Sequence, residues 1–157
     1  MQLLVDKKCH IRRPALEVFQ YVSNMENFGE WFPGVIAIES HNPMRHGEVG
    51  KEYLETVRVP LRGQQQIVLA VREVRGHQFF ATEGRFRPLL PRMEIALAET
   101  DGGFCELTWR MYSRSSHPAV RYLLLPLAKR VMGQRATSGL AALKERMEAT
   151  VLNPASE

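Results

Sequence analysis

Apolar and polar residues alternate with a period of two over most of the chain between residues 35 and 114, which is the pattern of half-buried β-strands. Gly, Pro or charged residues bound each stretch, as expected where a chain turns. The first residues of the chain show the same alternation. The predicted strands are Gln2–Ile11, Val35–Ser40, Glu52–Val59, Gln64–Val74, Gln78–Gly84, Arg92–Glu99 and Phe104–Ser113.

Two short helices are predicted between the first and second strands. Pro14 begins the first, since proline is well placed in a first helical turn. The second follows Ser23 or Asn24 and ends at Phe32-Pro33-Gly34. One face of the first helix is apolar and consists of Leu16, Val18, Phe19 and Val22.

A long helix is predicted from Pro118 to about Ala149. Pro126 should kink this helix or split off a first short segment, because its ring blocks a backbone hydrogen bond. The apolar stripe of the helix consists of Val120, Leu124, Leu127, Val131, Leu140, Leu143 and Met147.

The predicted order of elements is β-α-α-β6-α. Consecutive strands without helices between them pair antiparallel, so the fold class is α+β with a seven-stranded antiparallel sheet. The last helix, roughly 35 Å or longer, is long enough to cross the concave face of a twisted sheet. We predict one domain over residues 1–150 of the 157 and a disordered tail over residues 151–157.

Composition is that of a globular protein, with 45% hydrophobic and 24% charged residues. The two cysteines, Cys9 and Cys105, are too few for a disulfide framework, and we expect both to be reduced, semi-buried strand residues. Asp6 interrupts the apolar N-terminus, unlike a signal peptide, and no apolar stretch is long enough to span a bilayer. We therefore expect a cytoplasmic protein.

Four short motifs occur along the chain in the order Pro14-x-x-x-Val18-Phe19-x-Tyr21-Val22, Asn27-Phe28-x-x-Trp31-Phe32-Pro33-Gly34-Val35, Val49-Gly50-Lys51-x-Tyr53 and Leu140-x-x-Leu143-Lys144-x-x-Met147-Glu148. Together with the order of elements, they resemble the START-like, polyketide cyclase/dehydrase (SRPBCC) superfamily over residues 2 to 149. The resemblance implies a helix-grip fold, in which the sheet wraps around the long C-terminal helix and leaves an elongated apolar cavity. Members include lipid carriers, hormone receptors, cyclases and quinone-binding proteins, so the resemblance is more specific for fold than for function.

Strand parity predicts the lining of such a cavity. By analogy with the family, Trp31 and Phe32 at the end of the second helix lie near the cavity mouth. The loop 85–91 is unusually apolar, so it either caps the cavity or forms an exposed contact patch. The alternative is that the same rows fill a solid core and that Trp31 plugs it. The expected ligand-binding residues are Trp31, Phe32, Tyr53, Glu55, Val57, Leu69, Val71, Phe86, Met93, Ile95, Leu97, Leu107, Trp109, Met111, Leu124 and Val131.

Glu55 is the most informative of these residues, because it shares a strand face with Tyr53 and Val57. If that face points into the cavity, the carboxyl group must be paired or protonated, which would suit proton transfer or ligand anchoring. Glu55 and Tyr53 are therefore candidate acid–base groups. The alternative is an outer strand with a solvated Glu55.

Other recognisable chemistry is missing. The five histidines show no metal-ligand spacing, and the chain has no phosphate-binding loop, dinucleotide fingerprint or nucleophile elbow. We therefore predict no metal and no cofactor.

Three functions are compatible with these features. The first is binding or carriage of a hydrophobic small molecule such as a lipid, quinone or polycyclic aromatic. The second is a polyketide cyclase or dehydratase that uses Glu55 as acid or base. The third is an interaction module for protein, RNA or membrane.

The hypothesis of an interaction module depends on where the charged residues lie along a chain whose net charge is +4. Residues 118–149 carry six basic and two acidic residues, whereas residues 1–117 are nearly balanced. This surplus is either a solvated helix face or a surface for transient contact with an anionic membrane. It is too small to indicate sequence-specific binding of nucleic acid, and the oligomeric state is not predicted.

Overall fold

The computed structural model describes residues 1–149, so the predicted tail over residues 151–157 lies outside the described part of the chain. Seven strands form one antiparallel sheet in the order β1-β7-β6-β5-β4-β3-β2. The strands are β1 (Gln2–Ile11), β2 (Val35–Ser40), β3 (Glu52–Val59), β4 (Gly63–Arg75), β5 (Phe79–Gly84), β6 (Pro91–Thr100) and β7 (Phe104–Ser113). This is the α+β helix-grip architecture that the sequence predicted.

Helical segments occupy the predicted places with some differences. Helix α1 (Ala15–Val22) buries Val18, Phe19 and Val22, but Leu16 is exposed, so its assignment to the apolar face was wrong. The second predicted helix is a 3₁₀ helix, Met25–Glu30, whose first turn is capped by the Asn24 side chain.

The long helix α2 (Leu125–Ala149) is preceded by a π-helical turn, Val120–Leu124. In this turn the Leu125 N–H donates to the Val120 carbonyl, one residue further back than in an α-helix. The wider turn immediately precedes Pro126, which has no N–H and would crowd the carbonyl four residues earlier. The predicted split at Pro126 therefore takes the form of a π-helical turn.

The inner face of the sheet is the one that strand parity predicted. Cys105, Leu107, Trp109 and Met111 alternate along β7 and are all buried. In the neighbouring strand Met93 lies opposite Met111, Ile95 opposite Trp109, and Leu97 opposite Leu107. These rows are continuous across the sheet and form the floor on which the helices pack.

Helix α2 covers this floor unevenly. It packs mainly on β1, with a smaller contact to β7. Close approach is possible there because Gly139 lies against the residues that follow the 3₁₀ helix: a Cβ atom at this position would lie 3.1 Å from Phe32 Cδ2. Over β3 and β4 the first half of α2 stands off the sheet, and a cavity remains.

Candidate functional site

An apolar cavity of about 390 Å³ lies between the first half of α2 and strands β3–β6. Its volume is within the range of small-molecule sites. The side chains on its walls are almost all aliphatic, aromatic or thioether groups. Oxygen or nitrogen atoms among the described lining side chains belong to five residues, Glu55, Arg58, Arg62, Thr82 and Arg135.

Glu55 is the acidic group of the cavity wall. It lies in the middle of β3, between Ile38 of β2 and Ile67 of β4, and only 7% of its surface is exposed. Burial raises the pKa of its carboxyl group from the ordinary 4.5 to about 7, and the nearby positive charge of Arg135 opposes this rise. A large part of the Glu55 population is therefore protonated near neutral pH and can donate a hydrogen bond.

Arg135 lies on α2, on the opposite wall of the cavity, and its positive charge acts on Glu55 without a direct ion pair. Its Nη2 donates to the Arg58 carbonyl oxygen at 2.9 Å, and Arg58 N–H in turn donates to the Gly34 carbonyl at 2.8 Å. Burial lowers the pKa of Arg135, while the charge of Glu55 raises it. The guanidinium thus links α2 to the β2–β3 edge next to the buried carboxyl group.

Gly34 makes room for this link. Its φ of +89° is in the left-handed region, and a Cβ atom there would lie 2.6 Å from Cζ of Arg135. Only glycine meets both conditions without displacing the guanidinium.

Nine of the sixteen expected ligand-binding residues line the cavity: Phe32, Glu55, Val57, Leu69, Phe86, Met93, Met111, Leu124 and Val131. The structure places the other seven in the packed core: Trp31, Tyr53, Val71, Ile95, Leu97, Leu107 and Trp109. Trp31 is buried against Phe28 and Phe32, in the position of the plug that was the alternative reading.

Tyr53 shares the strand face of Glu55 but lies outside the cavity lining. Its hydroxyl group is 2.6 Å from Nδ1 of His46, and Nε2 of His46 is 3.1 Å from a carboxylate oxygen of Glu26. Burial raises the pKa of Tyr53 to about 12, so it stays protonated. This chain pins the β2–β3 loop to the 3₁₀ helix and separates Tyr53 from Glu55 as an acid–base partner.

Several lining residues were not among the expected ones. Arg135 belongs to a helix face counted as charged surface, and Thr82 and Met25 lie in segments without a clear cavity signal. Ala128 and Met132 follow the spacing of Leu124 and Val131 along α2, so the helical period was a signal that could have found them.

Both cysteines are free thiols in the described structure, with Cys105 buried and Cys9 half-buried. Burial raises the pKa of Cys105 to about 11, so it is an unreactive thiol at neutral pH. Within residues 1–149 no helix is long and apolar enough to cross a membrane.

Residues 2–148 match the family described as "Polyketide cyclase / dehydrase and lipid transport". The chain belongs to this family. No curated protein matches the sequence significantly. The family assignment agrees with the fold, and it places the cavity in a group of proteins whose description covers both enzymes and lipid carriers.

Solved structures with the same fold have low sequence identity to this member of the family. A START superfamily protein from Mycobacterium smegmatis has a TM-score of 0.75 at 15% identity, covering 94% of this chain and 99% of its own. A Thermus thermophilus protein has a TM-score of 0.71 at 13% identity, covering 93% and 97%. The di-domain ARO/CYC StfQ from the steffimycin biosynthetic pathway has a TM-score of 0.70 at 9% identity, covering 96% of this chain and 52% of its own. At these identities the likeness concerns the fold.

Proposed function

We propose that the protein binds an apolar small molecule that carries a carbonyl oxygen, with the carbonyl directed at Glu55. The observation that carries this proposal is the single buried carboxyl group in the wall of an otherwise apolar cavity. Among lipids, quinones and polycyclic aromatics, the proposal favours quinones and aromatic ketones.

The walls determine the apolar part of the ligand. Phe28, Phe32 and Phe86 present aromatic surface, and Met25, Met93, Met111 and Met132 present flexible thioethers that adapt to irregular shapes. Transfer of an apolar molecule from water into this space is favourable in proportion to the area that it buries.

The polar groups of the cavity wall determine which polar atom the ligand carries. A protonated Glu55 donates one hydrogen bond, and the guanidinium of Arg135 donates others. A ligand oxygen that accepts from Glu55 satisfies a buried group, whereas a pure hydrocarbon leaves the Glu55 carboxyl group without a partner, at a cost of about 1–3 kcal/mol. Arg135 is only half-buried and already donates to the Arg58 carbonyl, so it adds less to this preference.

A binding panel tests this proposal. We expect anthraquinone to bind at least tenfold more tightly than anthracene, measured by quenching of the intrinsic tryptophan fluorescence, and native mass spectrometry to detect any ligand that co-purifies. Ala128→Phe places a phenyl ring in the cavity and should weaken binding strongly, whereas Ala141→Phe, on the exposed face of the same helix, should leave it unchanged. Equal binding of both compounds, or an Ala128→Phe variant that binds normally, would contradict the proposal.

A second candidate is catalysis of a cyclisation or dehydration on a poly-β-carbonyl substrate. The raised pKa of Glu55, about 7, favours it, because general acid–base catalysis is most efficient near the working pH. Glu55→Gln should then keep ligand affinity and lose turnover by about 100-fold or more. If the Glu55→Gln variant still turns over substrate, Glu55 is not the catalytic group, and ligand binding remains as the proposed function.

A further inference from the structure

Three chain segments surround the cavity opening, and we call them the basic rim: residues 58–62, 85–91 and 114–135. The first comprises the end of β3 and the turn into β4, the second connects β5 to the start of β6, and the third leads from β7 through the π-helical turn into α2. Each segment contributes side chains to the cavity wall, including Pro60, Phe86 and Leu124. They are joined directly, since Arg62 lies over the Phe86 ring at 5.3 Å and Arg114 N–H donates to the Leu90 carbonyl at 2.9 Å.

The charge of the protein is concentrated on this rim. Its three segments carry nine of the 21 Lys and Arg residues and none of the 17 Asp and Glu residues. The rest of the chain has 12 basic and 17 acidic residues and therefore a net charge of −5, against +9 on the rim. A modest overall charge of +4 thus conceals a strongly polarised molecule.

Most rim charges lack an acidic partner. Arg85 pairs with Glu52, Arg114 pairs with Glu83, and Arg135 is turned toward the cavity. Six others make no ion pair with any acidic side chain in residues 1–149: Arg58, Arg62, Arg87, Arg121, Lys129 and Arg130. Unpaired charges of one sign around one opening attract an anionic surface.

The same rim holds the most exposed apolar side chains of the described residues. Leu61 is 98% exposed, Leu123 is 78% exposed and Tyr122 is 71% exposed. Leu61 also has a φ of +69°, which is costly for a branched side chain, and no packing contact accounts for its being leucine. Leu127, 44% exposed, continues the patch onto the cavity wall.

We propose that the basic rim docks onto an anionic lipid bilayer, with Leu61, Tyr122 and Leu123 inserted among the headgroups. Arginine and lysine side chains bind lipid phosphates, while leucine and tyrosine suit the boundary between headgroups and acyl chains. An RNA surface would reward stacking aromatics, but the tips of the rim are mainly aliphatic. Docked in this way, the cavity opens toward the bilayer, so an apolar ligand can enter without crossing water.

Sedimentation with vesicles tests this docking. The wild-type protein should bind vesicles of equal parts phosphatidylcholine and phosphatidylglycerol, bind phosphatidylcholine vesicles much more weakly, and lose the difference at high salt. The triple variant Arg121→Gln, Lys129→Gln, Arg130→Gln should bind the anionic vesicles about 100-fold more weakly at low salt. The double variant Tyr122→Ser, Leu123→Ser should lose at least about tenfold.

A matched control removes the same number of charges elsewhere. Lys7 and Lys8 lie on β1 beside the second half of α2, and Arg45 lies in the β2–β3 loop, at the opposite end of β3 from Pro60. Changing these three residues to Gln should weaken binding less than about threefold, because they lie beyond the reach of the surface potential.

Three outcomes would overturn the proposal: equal binding to both vesicle types, equal effects of the two triple variants, or binding to single-stranded RNA that is as tight as vesicle binding and unaffected by the Tyr122→Ser, Leu123→Ser change. Circular dichroism establishes that each variant is folded. Docking is tested without any cavity ligand. Membrane docking can therefore fail while the proposed ligand binding holds, and ligand binding can fail while docking holds.

Discussion

The two ends of the concave face are built from the same alternating strands but differ in what covers them. At one end Trp109 and Leu107 are fully buried, and Trp109 stacks on Phe32 at 5.1 Å between ring centroids. At the other end Leu69 and Met93 are just as apolar but face a cavity. A closed core and a candidate binding site therefore differ in the covering element rather than in the sheet.

The approach of α2 produces this difference. Gly139 and Ala136 let the second half of the helix lie against β1 and against residues 31–33, which follow the 3₁₀ helix, where aromatic rings fill the space. Leu124 in the π-helical turn, and Ala128 and Val131 in the first half of α2, do not reach β3 and β4. Arg135 spans the gap instead, through its hydrogen bond to the Arg58 carbonyl.

Matched leucine truncations at the two ends give the largest expected loss of stability. Leu107→Ala should lower the free energy of unfolding by about 4 kcal/mol, because it opens a hole in a packed region. Leu69→Ala should cost about 2 kcal/mol, since one side of Leu69 already lacks neighbouring atoms. Urea unfolding of ligand-free protein measures both, and equal losses would mean that the two ends are equally packed.

The carboxyl group of Glu55 provides the next contrast, since the packed end has no such group. Between pH 4.5 and about 7 the native state binds more protons than the unfolded state, so stability should fall as pH rises through this range. By about pH 8 the loss should approach roughly 3 kcal/mol. Glu55→Gln should remove this pH dependence.

Glu106→Gln is the control for this measurement, because Glu106 is an exposed carboxylate on the outer surface, 3.7 Å from Lys8. The pH profile of this variant should match that of the wild type. If Glu55→Gln retained the wild-type profile, the Glu55 carboxyl group would be solvated and the buried site would not exist in solution.

Much of this comparison could be predicted from the sequence, because strand parity determines which side chains point inward. It correctly assigned the rows through Trp109 and Met93 to the buried face. Strand parity does not tell which element packs against the inward face of a strand. Tyr53 and Glu55 share a face, but the loop with His46 and the 3₁₀ helix cover only Tyr53. Arg135 was similarly hidden, since its inward role depends on a neighbouring Gly34 that is a hundred residues away in the chain.

The smallest expected effect concerns the hydrogen bond of Arg135 to the Arg58 carbonyl, which is present only at the cavity end. Alanine substitutions at two glycines test its contribution to stability. Gly34 and Gly103 both have φ near +85°, at +89° and +80°, so Ala at either should cost about 1–2 kcal/mol of backbone strain. A Cβ at Gly103 meets no atom within 4 Å, whereas at Gly34 it displaces the Arg135 guanidinium.

Gly34→Ala should therefore cost about 1 kcal/mol more than Gly103→Ala, which is the usual worth of the lost hydrogen bond to Arg58. In an Arg135→Gln background the bond is already absent, so this excess should disappear while the backbone strain remains. Thermal unfolding of the three single variants and the two double variants measures the coupling between residues 34 and 135. An excess that persists without Arg135 would place the cost in the Gly34 turn itself, and the first half of α2 would then be held over the cavity by its apolar contacts alone.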